Sequence, residues 1–168
     1  MTTAVLSIGS NLGDRLAHLR AAVAGLGPAV VAVSPVYETA PWGPVAQDDY
    51  LNIVVLARDP AAGPRDWLAR AQALEAARGR TREVRWGPRT LDVDVVDVDG
   101  MTSDDPELTL PHPRAGERAF VLVPWRDVDA DAVLAGHGRV AELAAAAERA
   151  DPSAVRRRDD LRLVDRCP

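Results

Sequence analysis

Lysine is missing altogether: all twenty basic residues of this 168-residue chain are arginines. A P-loop lysine, a protein-kinase lysine and a lysine Schiff base are therefore excluded. Phosphate, if the protein handles it, must be met by arginine, backbone N–H groups or metal. A GC-rich coding sequence also produces arginine-only, alanine- and valine-rich usage, so this bias carries no function by itself. Cysteine is nearly absent. The single thiol, Cys167, cannot form an internal disulfide, and no Cys/His spacing suggests zinc. No apolar run reaches the length of a membrane span, and MTTAVLSIGSN lacks the basic start of a secretory signal. The expectation is a cytoplasmic protein with no membrane partner. A net charge of -5 argues against a general nucleic-acid coat. Aromatics number seven, and two of them, Trp42 and Tyr50, flank one loop.

What is present reads as alternating strands and helices. Thr3 to Ile8 is a strand, and GSNLGDR turns the chain with Ser10 or Asn11 as the expected helix cap. Leu16, Leu19, Ala22, Val23 and Leu26 recur at helical spacing over Arg15–Leu26, and Gly27-Pro28 ends that run. AVVAVSPVYET is a strand broken at Pro35. A loop over Thr39–Asp49 leads to the strand YLNIVVLARD, a helix over Arg65–Arg78 closed by Gly79, a polar loop over Arg80–Thr90, and the strand LDVDVVDVD. A helix near Arg118 and another over Val140–Arg149 follow. DLRLVDR either adds a short strand or frays. The order β-α-β-β-α-β predicts an α+β fold, a ferredoxin-like core whose antiparallel sheet carries helices on one face, with extra C-terminal helices. One domain over 1–168 is expected, with 151–168 a loosely attached tail.

The chemistry concentrates in RWGPRTLDVDVV, Arg85 to Val96. Side chains alternate along a strand, so Asp92 and Asp94 share one face while Val93 and Val95 take the other. Adjacent carboxylates repel, and a divalent cation removes the repulsion. Mg²⁺ suits oxygen ligands and is held by one or two carboxylates plus substrate phosphates. An exposed strand face with ordinary acids is the competing reading. Arg80, Arg82, Arg85 and Arg89 lie on the loop entering this strand, and their planar forks suit phosphate. Together the two groups suggest a nucleotide–metal site. His112, Arg114, Arg118 and Phe120 form a further cluster. Trp42 and Tyr50 can stack on a planar heterocycle, and Asn52 offers a donor and an acceptor to its edge.

RWGPRTLDVDVV resembles the signature of the 6-hydroxymethyl-7,8-dihydropterin pyrophosphokinase family of folate synthesis. The likeness extends to IGSNLGDR, VSPVYETAPWG, DYLN and LPHPR..ERAFVLVP, covering about Ala4 to Pro124. It implies a ferredoxin-like core, transfer of the β,γ-pyrophosphoryl unit of ATP to the pterin hydroxymethyl group, two Mg²⁺ ions, and a monomer without nucleic-acid partner. By position, Asp92 and Asp94 resemble the metal ligands, and Arg80 and Arg89 the catalytic loop arginines that engage the triphosphate, with Arg82 beside them. Glu75, His112 and Arg118 resemble nucleotide-binding positions. Trp86 and Phe120 resemble the aromatics that sandwich the pterin, with Thr39, Trp42, Tyr50 and Asn52 completing its pocket. The loops at Thr39–Asp49 and Arg80–Thr90 are then the expected lids. The chain departs from the pattern at Asp48, at Pro113 after His112, at Ala115-Gly116 where bulkier residues are usual, and in a loop about one residue shorter between Arg80 and Arg85. A nucleotide-binding module without chemistry and an RNA-binding domain of similar topology are the alternative readings. The second lacks the base-stacking aromatics on its strands.

Overall fold

The structure, a computed structural model, describes residues 2–41, 44–79 and 90–163. β1 (Thr2–Ser10) lies beside β4 (Tyr50–Asp59) on one side and β5 (Asp92–Val98) on the other, both antiparallel. β2 (Val30–Val33) and β3 (Tyr37–Thr39) share the far edge of β4, and β10 (Arg156–Arg157) adds to β3. The sheet order is therefore β10-β3-β4-β1-β5, with β2 also on β4.

The break expected at Pro35 is real, and Ser34 bridges it. Its N–H donates to Val54 O at 2.9 Å, and its Oγ accepts from Val54 N–H at 2.9 Å. The proline has no N–H, and a serine supplies the ladder contacts on its behalf.

Helix α1 (Arg15–Leu26) is capped by Asp14, whose Oδ1 accepts from Ala17 N–H at 3.0 Å. Ser10 and Asn11, the expected caps, do other work. Ser10 ends β1, and the Asn11 amide donates to Gln47 Oε1 and Asp48 O at 2.8 and 3.0 Å. Helix α2 (Pro64–Ala77) starts on proline, the residue that costs least at a first helical position. Gly79 takes φ +69 just beyond it, where a side chain would be strained. Two hairpins complete the strands: β6 (Ser103–Asp105) with β7 (Leu108–Leu110), and β8 (Val133–Leu134) with β9 (Gly138–Arg139).

The two helices of the core lie on one face of the sheet, and the added C-terminal helices cover the other. Leu6, Ile8, Ile53, Val93 and Val95 pack under α1 and α2 with Leu19, Trp67 and Ala71. Val5, Val54 and Val96 form a second core on the opposite face with α3 (Ala119–Val128) and α4 (Val140–Ala150). The C-terminal helices are a third layer, because both faces of the central strands are apolar and each must be covered. The described part of the tail, through residue 163, packs on the body of the molecule. β10 forms at Arg156–Arg157, upstream of DLRLVDR, and Leu161 and Leu163 pack against the first core.

Trp67 has no solvent exposure and donates its indole N–H to Thr2 Oγ1 at 2.7 Å. Trp67→Ala should lower unfolding free energy by about 3–5 kcal/mol, read from urea denaturation. A loss below about 1 kcal/mol would show that the first core does not depend on it.

Candidate active site

β5 sets the geometry. Asp94 lies opposite Ser7 and Asp92 opposite Gly9, while Val93 and Val95 are buried in the first core. The two acids thus share the sheet face that carries α3, but they lie beyond the N-terminus of that helix and stay half-buried. They line two cavities at once. One lies over the sheet, with Thr39, Tyr50, Asn52, Arg118 and Phe120 around it, and holds about 600 Å³ of empty space out to its mouth. The other runs along the outer edge of β5, between Gln72 and Glu75 of α2 and the segment carrying Thr109 and His112, and holds about 890 Å³.

The first cavity is walled by one buried contact. The Asn52 amide N–H donates to Thr39 Oγ1 at 2.7 Å, joining β4 to β3. Gly9 makes that arrangement sterically feasible. A Cβ at Gly9 would stand 2.6 Å from Asn52 Oδ1 and 3.2 Å from the Tyr50 ring. The glycine is needed for close approach here, not for an unusual backbone conformation. Arg118 closes another side. Its guanidinium lies 3.5 Å from Asp94 Oδ2 and 5.5 Å over the centre of the Phe120 ring, a cation–π geometry. Its Nε is buried with no hydrogen-bond partner among the described residues.

The edge cleft is fixed by contacts to the open side of β5. Buried Glu75 accepts from Val93 N–H through Oε1 at 3.0 Å, and His112 N–H donates to Val96 O at 2.8 Å. Burial pushes the His112 imidazole down to about 4, helped by the positive charge of Arg118 and opposed by Asp92. Its Nδ1 accepts from Arg114 N–H at 3.2 Å, so the neutral ring carries its proton on Nε2.

The structure therefore brings together Thr39, Tyr50, Asn52, Asp92, Asp94, Arg118 and Phe120 in one cavity, and Glu75 and His112 with the same acids in the other. Arg80, Arg82, Arg89, Trp42 and Trp86 lie outside the described residues. Ser7, Gly9 and Ala40 line the first cavity without having been singled out from the sequence. A signal existed for two of them. In LSIGS, small residues alternate with Leu6 and Ile8, which marks a strand face with room above it. The small residue at Gly116 also has a cause. A Cβ there would stand 2.9 Å from His137 Cδ2, so the β8–β9 turn occupies the space a bulkier residue would need.

As donors, Asp92 and Asp94 suit a hard cation that completes its shell with water and phosphate oxygens. No cluster of three or more His, Cys, Asp or Glu side chains suited to a metal occurs among the described residues.

The His112 shift has a pH consequence. The folded protein holds the ring neutral down to about pH 4, whereas the unfolded chain protonates it near 6.5. The unfolded state binds the extra proton between those values. The stability tied to neutral His112 is whole above about pH 6.5 and drains away as pH falls towards 4. In metal- and nucleotide-free protein, His112→Gln should flatten the loss of unfolding free energy across that window. Equal slopes for variant and wild type would mean that the folded state protonates His112 normally.

Comparisons with known proteins agree on one family. The model of 7,8-dihydro-6-hydroxymethylpterin-pyrophosphokinase matches residues 5–130. A 2-amino-4-hydroxy-6-hydroxymethyldihydropteridine pyrophosphokinase of Mycobacterium bovis is 52% identical over 168 residues, covering 93% of this chain and 89% of that protein. Its Mycobacterium leprae namesake is 56% identical over 149 residues, 83% of this chain and 78% of that one. Among solved structures, wild-type Plasmodium falciparum HPPK-DHPS with pteroate matches with a TM-score of 0.70 at 11% identity, over 93% of this chain. That likeness bears on fold alone, and the present chain spans only 47% of that longer one. With the family model matching most of its length and relatives above half identity, the chain belongs to the 7,8-dihydro-6-hydroxymethylpterin-pyrophosphokinase family.

Proposed function

We propose that this protein transfers the β,γ-pyrophosphoryl unit of ATP to the hydroxymethyl group of 6-hydroxymethyl-7,8-dihydropterin, giving AMP and the pterin diphosphate for folate biosynthesis. One observation carries the reading beyond family membership: Asp92 and Asp94 line both cavities. A donor bound in one and an acceptor bound in the other would meet at these carboxylates. We assign the first cavity to the pterin. Phe120 and Tyr50 offer faces for a flat heterocycle, and Asn52 and Thr39 offer polar atoms for its edge. We assign the edge cleft to the nucleotide, with Glu75 at its wall and the His112 Nε2–H as a donor.

Bound Mg²⁺, which we take as two ions on Asp92 and Asp94, would neutralise phosphate charge and favour ionisation of the pterin hydroxyl. The residues do the rest. The carboxylates hold the charge centre between donor and acceptor. Arg118, fixed between Asp94 and the Phe120 ring, presents a permanent cation to the transferring group. From the sequence, Arg80 and Arg89, with Arg82 beside them, are assigned to the triphosphate, and Trp86 and Trp42 to the pterin. No strong general base is required. The sheet order, with β2 and β3 as one interrupted strand, supports a ferredoxin-like core. We further read residues 1–168 as one pyrophosphokinase domain acting as a cytoplasmic monomer.

AMP release from ATP and Mg²⁺ tests the assignment. AMP should appear only when 6-hydroxymethyl-7,8-dihydropterin is present, and ADP in its place would mean attack at the γ-phosphorus. Asp94→Ala should lower kcat by at least about a hundredfold without unfolding the protein. Near-wild-type turnover would remove Asp94 from the metal site. Gly9→Ala should displace Asn52 and raise the KM for pterin roughly tenfold, leaving the KM for ATP unchanged. Parallel rises in both constants would point to a general packing defect.

A further inference from the structure

Glu38 is a buried carboxylate in the middle of three-residue β3, and it lines neither of the two cavities. Its side chain points away from Tyr37 and Thr39, as strand alternation requires. Three arginines surround it. Arg15 donates to Oε2 at 2.8 Å, Arg158 to Oε1 at 3.2 Å, and Arg156 also pairs with Oε1. Two of the three come from the C-terminal segment, beyond residue 130 where the family match ends.

Each partner ties Glu38 to a different element. Arg15 uses the same Nη1 to reach Asp49 O at 2.9 Å, just before Tyr50. The chain that leaves β3 after Thr39 returns to β4 at Tyr50, so one guanidinium holds both ends of that loop. Thr39 and Tyr50 are also the two residues through which this end of β3 pairs with β4, and both line the first cavity. On the outer side, β10 sets Arg156 opposite Glu38 and Arg157 opposite Tyr37, and Arg158 N–H donates to Val36 O at 2.8 Å. The segment is held in turn by Arg20, which donates twice to Arg162 O at 2.6 and 3.0 Å. On the other face of β3, the Tyr37 hydroxyl donates to Asp127 of α3.

A buried carboxylate with one partner removed is costly, whereas this one has cations on both oxygens. The arrangement is asymmetric with respect to the two cavities. It touches the backbone that carries Thr39 and Tyr50, and none of its members lines the nucleotide cleft.

We propose that Glu38 is a positioning residue for the pterin subsite, and that the C-terminal segment, through Arg156 and Arg158, is a working part of that subsite. This rests on the pyrophosphokinase reading given above. Without the two tail guanidinium groups, Glu38 would keep only Arg15 among these three cations, and β10 would be held to β3 by backbone hydrogen bonds alone. Thr39 would then lose its fixed distance to Asn52, and the acceptor would bind in a looser cavity. ATP binding would be untouched.

The test is steady-state kinetics on full-length wild type, Glu38→Gln, and the double variant Arg156→Gln/Arg158→Gln, with ATP and 6-hydroxymethyl-7,8-dihydropterin varied in turn. The double variant should raise the KM for pterin about tenfold, with kcat and the KM for ATP within about twofold of wild type. Glu38→Gln keeps an acceptor and leaves no buried unpaired charge, so it preserves the fold and should shift the same constant in the same direction. Unchanged kinetics, equal rises in both KM values, or activity lost only in proportion to folded protein by circular dichroism would overturn the proposal. Wild type that forms no AMP with the pterin would overturn the enzymatic reading and this inference together. An active wild type with unselective variants would overturn this inference alone.

Discussion

The register of β5 against β1 decides whether this molecule has a site at all. With Asp94 opposite Ser7 and Asp92 opposite Gly9, the acids stand on the face above small residues and the valines go into the core. A slip of one residue would exchange the two sets, burying two carboxylates under α1 and α2 and exposing Val93 and Val95. Core packing and site chemistry are thus enforced by the same alternation. The hydrophobic cost of misplacing the valines also guards the placement of the acids. Glu75 and His112 reinforce it from the open edge, each bonded to a backbone group of β5.

Around that frame the charges are arranged to stay usable. Arg118 lies near Asp94 yet keeps a hold on the Phe120 ring and a buried Nε with no hydrogen-bond partner among the described residues. Its charge also helps keep His112 neutral. The neutral imidazole can then offer the edge cleft a donor hydrogen bond without adding a charge that depends on pH. Permanent positive charge is instead supplied by arginines, as the absence of lysine requires.

Much of this was legible in the sequence. Helices α1, α2 and α4 follow from helical spacing, and the shared face of Asp92 and Asp94 from strand alternation. The Pro35 break was legible too, although its repair by Ser34 was not. Capping of α1 was misread because Ser10 and Asn11 are good caps in isolation, and only the tertiary contact of Asn11 with Gln47 and Asp48 removes it from that role. The face taken by the added C-terminal helices was not legible, because Val121, Leu122, Val123 and Trp125 are all buried and α3 lacks the one-sided pattern that would announce a covering layer. Gly9 was legible only as part of a strand face of small residues. Nothing in its neighbours says that Asn52 will stand 2.6 Å from where its Cβ would be.

The contact between Gly116 and His137 reaches beyond this molecule. The two residues occupy one volume, contributed by the turn before α3 and by the hairpin that leads into α4. Their substitutions are therefore not independent. A larger residue at 116 requires the exposed His137 ring to turn aside or give way to a smaller side chain, and a double-mutant cycle across the pair would read that coupling. Grafting the Arg114–Arg118 turn from a relative into this chain would thus import half of a fitted pair. In this chain the turn and the hairpin that covers it form one packing unit.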